Sequence, residues 1–245
     1  MRETWIILGA TSSIARAFAR ALSERGQALI VAGRDMDELR ALAGDLAARG
    51  AAEAKAMRLD IREPRSFGPI IEAAGLAPGP VSVACFVGSM PTQAEIESRP
   101  ELIETVIADN FAGPARFLLE IAPLIEARGA GTVVGVSSVA GDRGRLSNYG
   151  YGAAKAGFTT FLAGLRNRLT RAGAHVVTVK PGFTDTAMTW GVEGMFLVAS
   201  PEKVAADILR AVEKRRNVIY TPGFWRAIMT IIRLVPEPIF KKLSI

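Results

Sequence analysis

The chain has 245 residues, 49% of them hydrophobic and 22% charged, which suits one sizeable α/β core and excludes a disordered or fibrous protein. Its single cysteine rules out a disulfide framework and fits a reducing, cytoplasmic setting, and its single histidine leaves no metal cluster to propose. The formal charge of +6 is dispersed without a polybasic block, so no nucleic-acid partner is expected; phosphorylated cofactors and acidic membrane surfaces match it better.

Thr4 to Gly9 is a strand-length apolar run, too short for a secretory leader, and no run reaches membrane-spanning length. After the turn Ala10 to Ser13, the apolar positions Ile14, Ala17, Phe18, Ala21 and Leu22 recur at helical spacing. A glycine turn between strand and helix aims backbone N–H groups at a pyrophosphate. Thr11, Ser12 and Ser13 read either as a hydroxyl-lined phosphate turn or as an ordinary helix cap.

Ala28 to Ala32 is the second strand, ending at Gly33 and Arg34. In dinucleotide folds an acid here bonds the ribose of NAD, whereas an arginine accommodates the 2′-phosphate of NADP, so Arg34 favours NADP(H) over NAD(H). Arg16 adds positive charge nearby. Asp35 pulls the other way unless it caps the helix Met36 to Arg49. Glu53 to Leu59 is a third strand running into Asp60, and Val81 to Phe86 a fourth, with Cys85 as buried filler, leading to Gly88.

Glu101 to Ala127 reads as one long amphipathic helix. Asn110 inside it is unfavourable by propensity, so a local use is expected, and Gly113 and Pro114 favour a kink. Thr132 to Val136 is a buried strand ending in Ser137 and Ser138. A glycine-rich loop then leads to Tyr151 and Lys155, one helical turn apart on one face. A fixed cation beside a phenol favours the phenolate, so Lys155 is expected to lower the pKa of Tyr151 from about 10 and make it a proton donor and acceptor near neutrality.

Ala174 to Lys180 is the sixth strand, begun by His175 in a packing or surface role and followed by Pro181 and Gly182. Thr184 to Ser200 mixes Gly191 and Gly194 with Met188, Trp190, Met195 and Phe196, the make-up of a lid over an apolar or amphiphilic substrate. Pro201 to Lys214 is a helix and Asn217 to Thr221 the last strand. From Phe224 to Val235 the residues Arg226, Thr230 and Arg233 leave a broad apolar face, which either packs on the core or a sister subunit or lies in a membrane interface.

Ser138, Tyr151 and Lys155, with the turn after the first strand and Pro181-Gly182 after the sixth, resemble the short-chain dehydrogenase/reductase family along the whole chain. The resemblance implies a Rossmann-type, doubly wound, seven-stranded parallel sheet in the order 3-2-1-4-5-6-7, with helices on both faces. It implies a single domain over 1–223, including a lid at 184–200, followed by an amphipathic tail at 224–245. Asn110 becomes the fourth catalytic member, distorting its helix and holding a water that passes protons to Lys155.

The implied cofactor cradle is Gly9, Thr11, Ser12, Ser13, Ile14, Arg34, Asp60, Gly88, Tyr151, Lys155, Pro181, Gly182, Thr184 and Thr186. Within it Asp60 lies against the adenine, Gly88 lets the ribose pass, Lys155 contacts the nicotinamide ribose, the Thr184 backbone faces the carboxamide, and Pro181 to Thr186 closes over the nicotinamide. The pattern departs from the family at Ser13 and Ala15, which replace glycines, and at Cys85, Phe86 and Val87, which replace Asn-Asn-Ala before Gly88. The lost asparagines put strand-tying hydrogen bonds in doubt.

The implied activity is NAD(P)H-dependent interconversion of a carbonyl and a secondary alcohol on a small-molecule substrate. A homodimer or homotetramer is expected through the helices beginning near Glu101 and Gly150. The turn GATSSIA and the basic-apolar tail are similar to the branch of reductases acting on decaprenylphosphoryl 2-keto-pentoses, which implies a lipid-linked keto-sugar and peripheral membrane contact through 224–245. A catalytically weak nucleotide-binding redox sensor or membrane-surface adaptor is the alternative that the altered turn would suit.

Overall fold

The computed structural model describes residues 3–186 and 197–243; the lid side chains from Met188 to Phe196 named above lie outside the described residues. Strands β1 (Thr4–Leu8), β2 (Ala28–Gly33), β3 (Glu53–Arg58), β4 (Val81–Cys85), β5 (Thr132–Val136), β6 (His175–Pro181) and β7 (Val218–Thr221) form one parallel sheet in the expected order 3-2-1-4-5-6-7. The expected strand limits hold to within about a residue.

The central strands are buried on both sides, as parallel strands flanked by helices must be. Alternate residues of β1 feed two cores. Trp5 and Ile7 pack against Phe18 and Leu22 of α1 (Ser13–Ser23), Leu39 and Leu42 of α2 (Met36–Ala48) and Ile208 of α8 (Pro201–Glu213). Ile6 and Leu8 meet Phe67 and Ile70 of α3 (Phe67–Leu76), Phe117 and Ile121 of α6 (Gly113–Arg128), and Phe158 and Leu162 of α7 (Tyr149–Thr170). The period of two along the strand is what divides helices between the two faces.

The expected single helix over 101–127 is instead α5 (Leu102–Ile107), a π-turn over Ala108–Ala112 and then α6, preceded by a short α4 (Gln93–Ser98). Pro114 has no N–H to give the carbonyl of Asn110, and its ring crowds that carbonyl. The Gly113 amide reaches back to the Ala108 carbonyl instead, one residue further than in an α-helix.

The tail forms α9 (Trp225–Leu234) and α10 (Glu237–Phe240). Trp225 and Met229 are buried against Val139, with Phe183, Tyr220, Ile228 and Ile232 around them. The Trp225 indole sits where a side chain on Gly182 would be, 2.0 Å from that Cβ position. Arg143 donates to the carbonyls of Ile232 and Val235, each at 2.6 Å, pairs with Glu237 at 2.8 Å and lies 3.5 Å over the Phe240 ring. The inner face of the tail therefore packs on the core, and Phe224, Ile231, Leu234, Ile239 and Leu243 of the outer side are exposed.

Candidate active site

Gly9, Arg34, Asp60, Gly88, Ser138 and Pro181 all lie at or just beyond the carboxyl ends of their strands, the edge where open α/β sheets form their crevice. Tyr151 is in the first turn of α7 and Lys155 in the next, and both are buried, at 7% and 4% exposure. The Ser137 hydroxyl fixes α7 to the end of β5, donating to the Lys155 carbonyl at 3.0 Å and meeting the Thr159 hydroxyl at 2.7 Å. Ser138 caps the short turn Val139–Asp142, accepting from the Ala140 amide at 3.1 Å, and its hydroxyl lies near that of Tyr151. Gly152 lets this turn approach, since a Cβ there would lie 2.8 Å from the Ala140 carbonyl.

The electrostatics differ from the expectation. Burial pushes the Tyr151 phenol up to about 12, only partly opposed by the nearby Ser138 hydroxyl, and pulls Lys155 down to about 8. The Lys155 ammonium donates to the Val136 carbonyl at 3.1 Å and lies 5.7 Å from the centroid of the Tyr151 ring. Desolvation disfavours the charged form of both groups and is the largest cause of each shift. At neutral pH the phenol is consequently protonated.

Asn110 is fully buried in the π-turn. Its amide donates to the carbonyls of Ser89 (2.7 Å) and Val106 (3.0 Å), while Oδ1 has no partner among the described residues. That oxygen is 2.7 Å, and the Lys155 ammonium 3.5 Å, from where a Cβ on Gly88 would stand. Gly88, Asn110 and Lys155 thus face a shared space that any larger residue at 88 would occupy. The doubt over this strand end is answered by main chain: Phe86 N–H donates to the Leu8 carbonyl at 2.9 Å, and Asn110 ties down Ser89. The neighbouring Asp109 takes a bidentate pair from Arg62, both contacts at 2.6 Å. Burial would raise the Asp109 carboxyl, but the Arg62 guanidinium and the charge of Arg34 hold it below its usual value. Nothing local in the sequence signals this pair.

On the other side of the crevice Gly9 adopts φ +72°, the left-handed region, and a Cβ there would meet the Val87 amide at 3.0 Å. Ser12 caps α1, accepting from Ala15 N–H at 3.4 Å, and the first turn holds no acidic side chain. Ser13 and Ile14 open the helix directly after this cap. Asp35 accepts from the amides of Asp37 and Glu38, so it serves α2 as a cap, and Arg34 stands exposed at the end of β2. Arg16 is already engaged, with the Thr11 carbonyl at 2.9 Å and Glu38 at 2.7 Å, so it adds less free charge than expected. Asp60 accepts from the Arg62 amide and orders the turn after β3. The open backbone at Gly9 and Gly88, the orphaned Asn110 oxygen and the helix N-terminus fit a dinucleotide running from β2 to β5.

Past β6, Thr184 is buried and forms a parallel bridge with Ala199, and Thr186 is half-buried nearby in the chain. A buried polar cluster missed by sequence reading lies next to Pro181 and Gly182. Lys180 pairs with Asp142, and the Tyr220 hydroxyl donates to the other Asp142 oxygen at 2.7 Å. Cys85 is buried with its thiol pushed up to about 11 by burial, and His175 is buried against the Arg216 carbonyl, both as packing residues. Among the described residues no group of three or more His, Cys, Asp or Glu side chains could hold a metal, and no helix is long and apolar enough to cross a membrane.

The chain matches the family model for short chain dehydrogenases over residues 3–195. It is 30% identical over 239 residues to an uncharacterized oxidoreductase of Mycobacterium tuberculosis, covering 97% of this chain and 96% of that one. Another uncharacterized oxidoreductase, of Streptomyces coelicolor, is 33% identical over 248 residues, with 98% and 95% covered. Among solved structures, a short-chain dehydrogenase from Sphingobium yanoikuyae in complex with NADPH superposes with a TM-score of 0.79 at 24% identity, over 97% of each chain. A variant of actinorhodin polyketide ketoreductase with NADPH gives a TM-score of 0.80 at 24% identity, over 91% of this chain and 97% of that one. Ser138 beside buried Tyr151 and Lys155 at the strand ends of a 3-2-1-4-5-6-7 sheet, on a sequence matched over this length, makes the chain an oxidoreductase that belongs to the short-chain dehydrogenase family.

Proposed function

We propose that the protein is an NAD(P)H-dependent carbonyl reductase, reversible to a secondary alcohol dehydrogenase, with Tyr151 as its proton donor. The observation that carries this reading is the state of that phenol: buried, protonated at neutral pH, close to the Ser138 hydroxyl and backed by the Lys155 ammonium. A bound dinucleotide supplies or accepts hydride. Ser138 orients the carbonyl, and Tyr151 hands its proton to the oxygen as negative charge grows there. An alkoxide is a far stronger base than a phenolate, so a phenol near 12 is still a competent acid for reduction. Lys155 stabilises the resulting phenolate at short range inside a dry site and holds the nicotinamide ribose. Asn110 Oδ1, facing Lys155 across Gly88, positions a water that returns the proton from solvent.

Exposed Arg34, with Asp35 withdrawn to its cap, supports NADPH over NADH, as do the NADPH-bound structural relatives. Asp60 stands at the adenine end, and the Thr184 backbone with Thr186 at the nicotinamide end. The substrate is apolar or lipid-linked, a keto-sugar lipid among the candidates. The tail supports this, because Ile231, Leu234, Ile239 and Leu243 are exposed beside Arg226, Arg233, Lys241 and Lys242, as suits an anionic membrane surface. The chain assembles as a homodimer or homotetramer through α5–α6 and α7, where Ile107 and Leu119 are exposed.

The test compares NADPH and NADH oxidation over a panel of neutral ketones, keto-lipids and keto-sugar lipids. NADPH-dependent turnover of an apolar member is expected. Tight NADPH binding without turnover of any carbonyl would favour a sensor instead. Vesicle flotation of an I231D/L234D variant tests the membrane contact, and loss of dimer rather than of binding would assign that face to a sister subunit.

A further inference from the structure

Between Ser138 and Tyr151 the chain carries two arginines with opposite circumstances. Arg143 is fully used, clasping the tail through Ile232, Val235 and Glu237. Arg145, two residues on, has no hydrogen bond or ion pair from its side chain among the described residues, and its buried Nε finds no partner among them. Asp142 is the acid whose charge it feels, and both Asp142 oxygens are already taken, by Lys180 and Tyr220. Asn148, on the same turn, likewise leaves its buried Oδ1 unpaired, so the two orphan groups do not satisfy each other.

Arg145 is half-buried, and holding its Nε–H away from water without a partner is costly, a cost recovered when an anion arrives. Burial accordingly pulls the Arg145 pKa down. The sheet order decides whose anion it is. The cofactor's phosphates belong at the ends of β1 and β2, whereas this loop follows β5 and is tied through Asp142 to β6 and β7, across the crevice.

We propose that Arg145 is the receptor for an anionic group, phosphate or carboxylate, carried by the substrate itself, with Asn148 taking an adjacent hydroxyl. Planar guanidinium donors bind either oxyanion in bidentate fashion. This rests on the reductase reading, since it assigns the loop to the substrate side of that site.

The test uses the full chain with and without saturating NADPH, titrated with inorganic pyrophosphate in one arm and citrate in the other, and followed by calorimetry and thermal unfolding. Wild type is expected to bind one anion whether or not NADPH is present, and R145M to bind it at least about tenfold more weakly, with R145K intermediate and NADPH affinity unchanged. The preferred arm assigns phosphate or carboxylate. R145M should melt no lower than wild type, because it removes an unpaired charge. Equal anion affinity in R145M and wild type, no binding in either arm, or a marked fall in R145M melting temperature would overturn the proposal. Failure of NADPH to bind, with anion binding still dependent on Arg145, would sink the reductase reading and leave the anion site standing.

Discussion

The two sides of the crevice keep their chemistry in opposite ways. On the β1–β3 side the charged groups, Arg34 and Asp35, are exposed, and the contacts offered to a ligand come largely from backbone at Gly9 and the α1 N-terminus. On the β4–β6 side Asn110, Tyr151, Lys155 and Lys180 are all buried. Where main chain lines the crevice and water solvates the charges, side chains can change: Ser13 and Ala15 stand where the family has glycine, and the turn survives. Where desolvation sets the titration of each group, a single substitution alters the proton inventory of the site.

The contrast can be broken most severely at Tyr151. Tyr151→Phe should lower turnover by roughly 10²–10⁴-fold while NADPH affinity, measured by nicotinamide fluorescence, stays within about twofold. A variant with near wild-type turnover would remove the phenol from the mechanism. Arg34→Gln, on the exposed side, should weaken NADPH by about tenfold and leave NADH nearly untouched, the size of one charge-assisted contact. Equal losses for both cofactors would show that Arg34 does not read the 2′-phosphate.

Lys155 sharpens the comparison through pH. Its folded pKa, about 8 against 10.5 for an ordinary lysine, means that between those values the unfolded chain holds a proton that the folded chain has released. Stability from this group therefore rises with pH across that window, and below pH 8 the full cost of burying the charge remains. Lys155→Met should melt higher than wild type at pH 7, with the gap closing toward pH 10. A gap independent of pH would mean that Lys155 is not desolvated as described. The smallest effect on chemistry is expected at the outer face of the tail, where I231D/L234D should leave turnover of a water-soluble ketone within about twofold and abolish vesicle flotation.

Much of this architecture is legible in the sequence because it is written locally. Apolar alternation, glycine turns and the Tyr151–Lys155 spacing each sit within a few residues of what they specify. Asp35 and Ser12 also sit next to the helices they cap, although their capping geometry had to be seen to separate it from a ligand role. The π-turn at Ala108–Ala112 was half visible, since Pro114 announced a distortion without fixing its form. Less legible were the charged contacts made across long stretches of chain: Arg62 with Asp109, Lys180 and Tyr220 with Asp142, Arg143 with the tail. Such partners are chosen by how elements stack, and no pattern along the chain records it. The pKa of Tyr151 was misjudged for a related reason. Spacing shows which charge is near, but not how much water has been excluded.

The grip of Arg143 on Ile232 and Val235 bears on how the carboxy-terminal segment can be studied. That arginine belongs to the strip of chain that also presents Ser138, and Trp225 fills the hollow above Gly182. Clipping off everything after Thr221 would uncover Val139 and Gly182 beside Ser138, so under the proposed function a shortened protein is expected to lose turnover even if no lipid ever touches it. Surgery confined to the outward residues is what can tell an anchor from a wall.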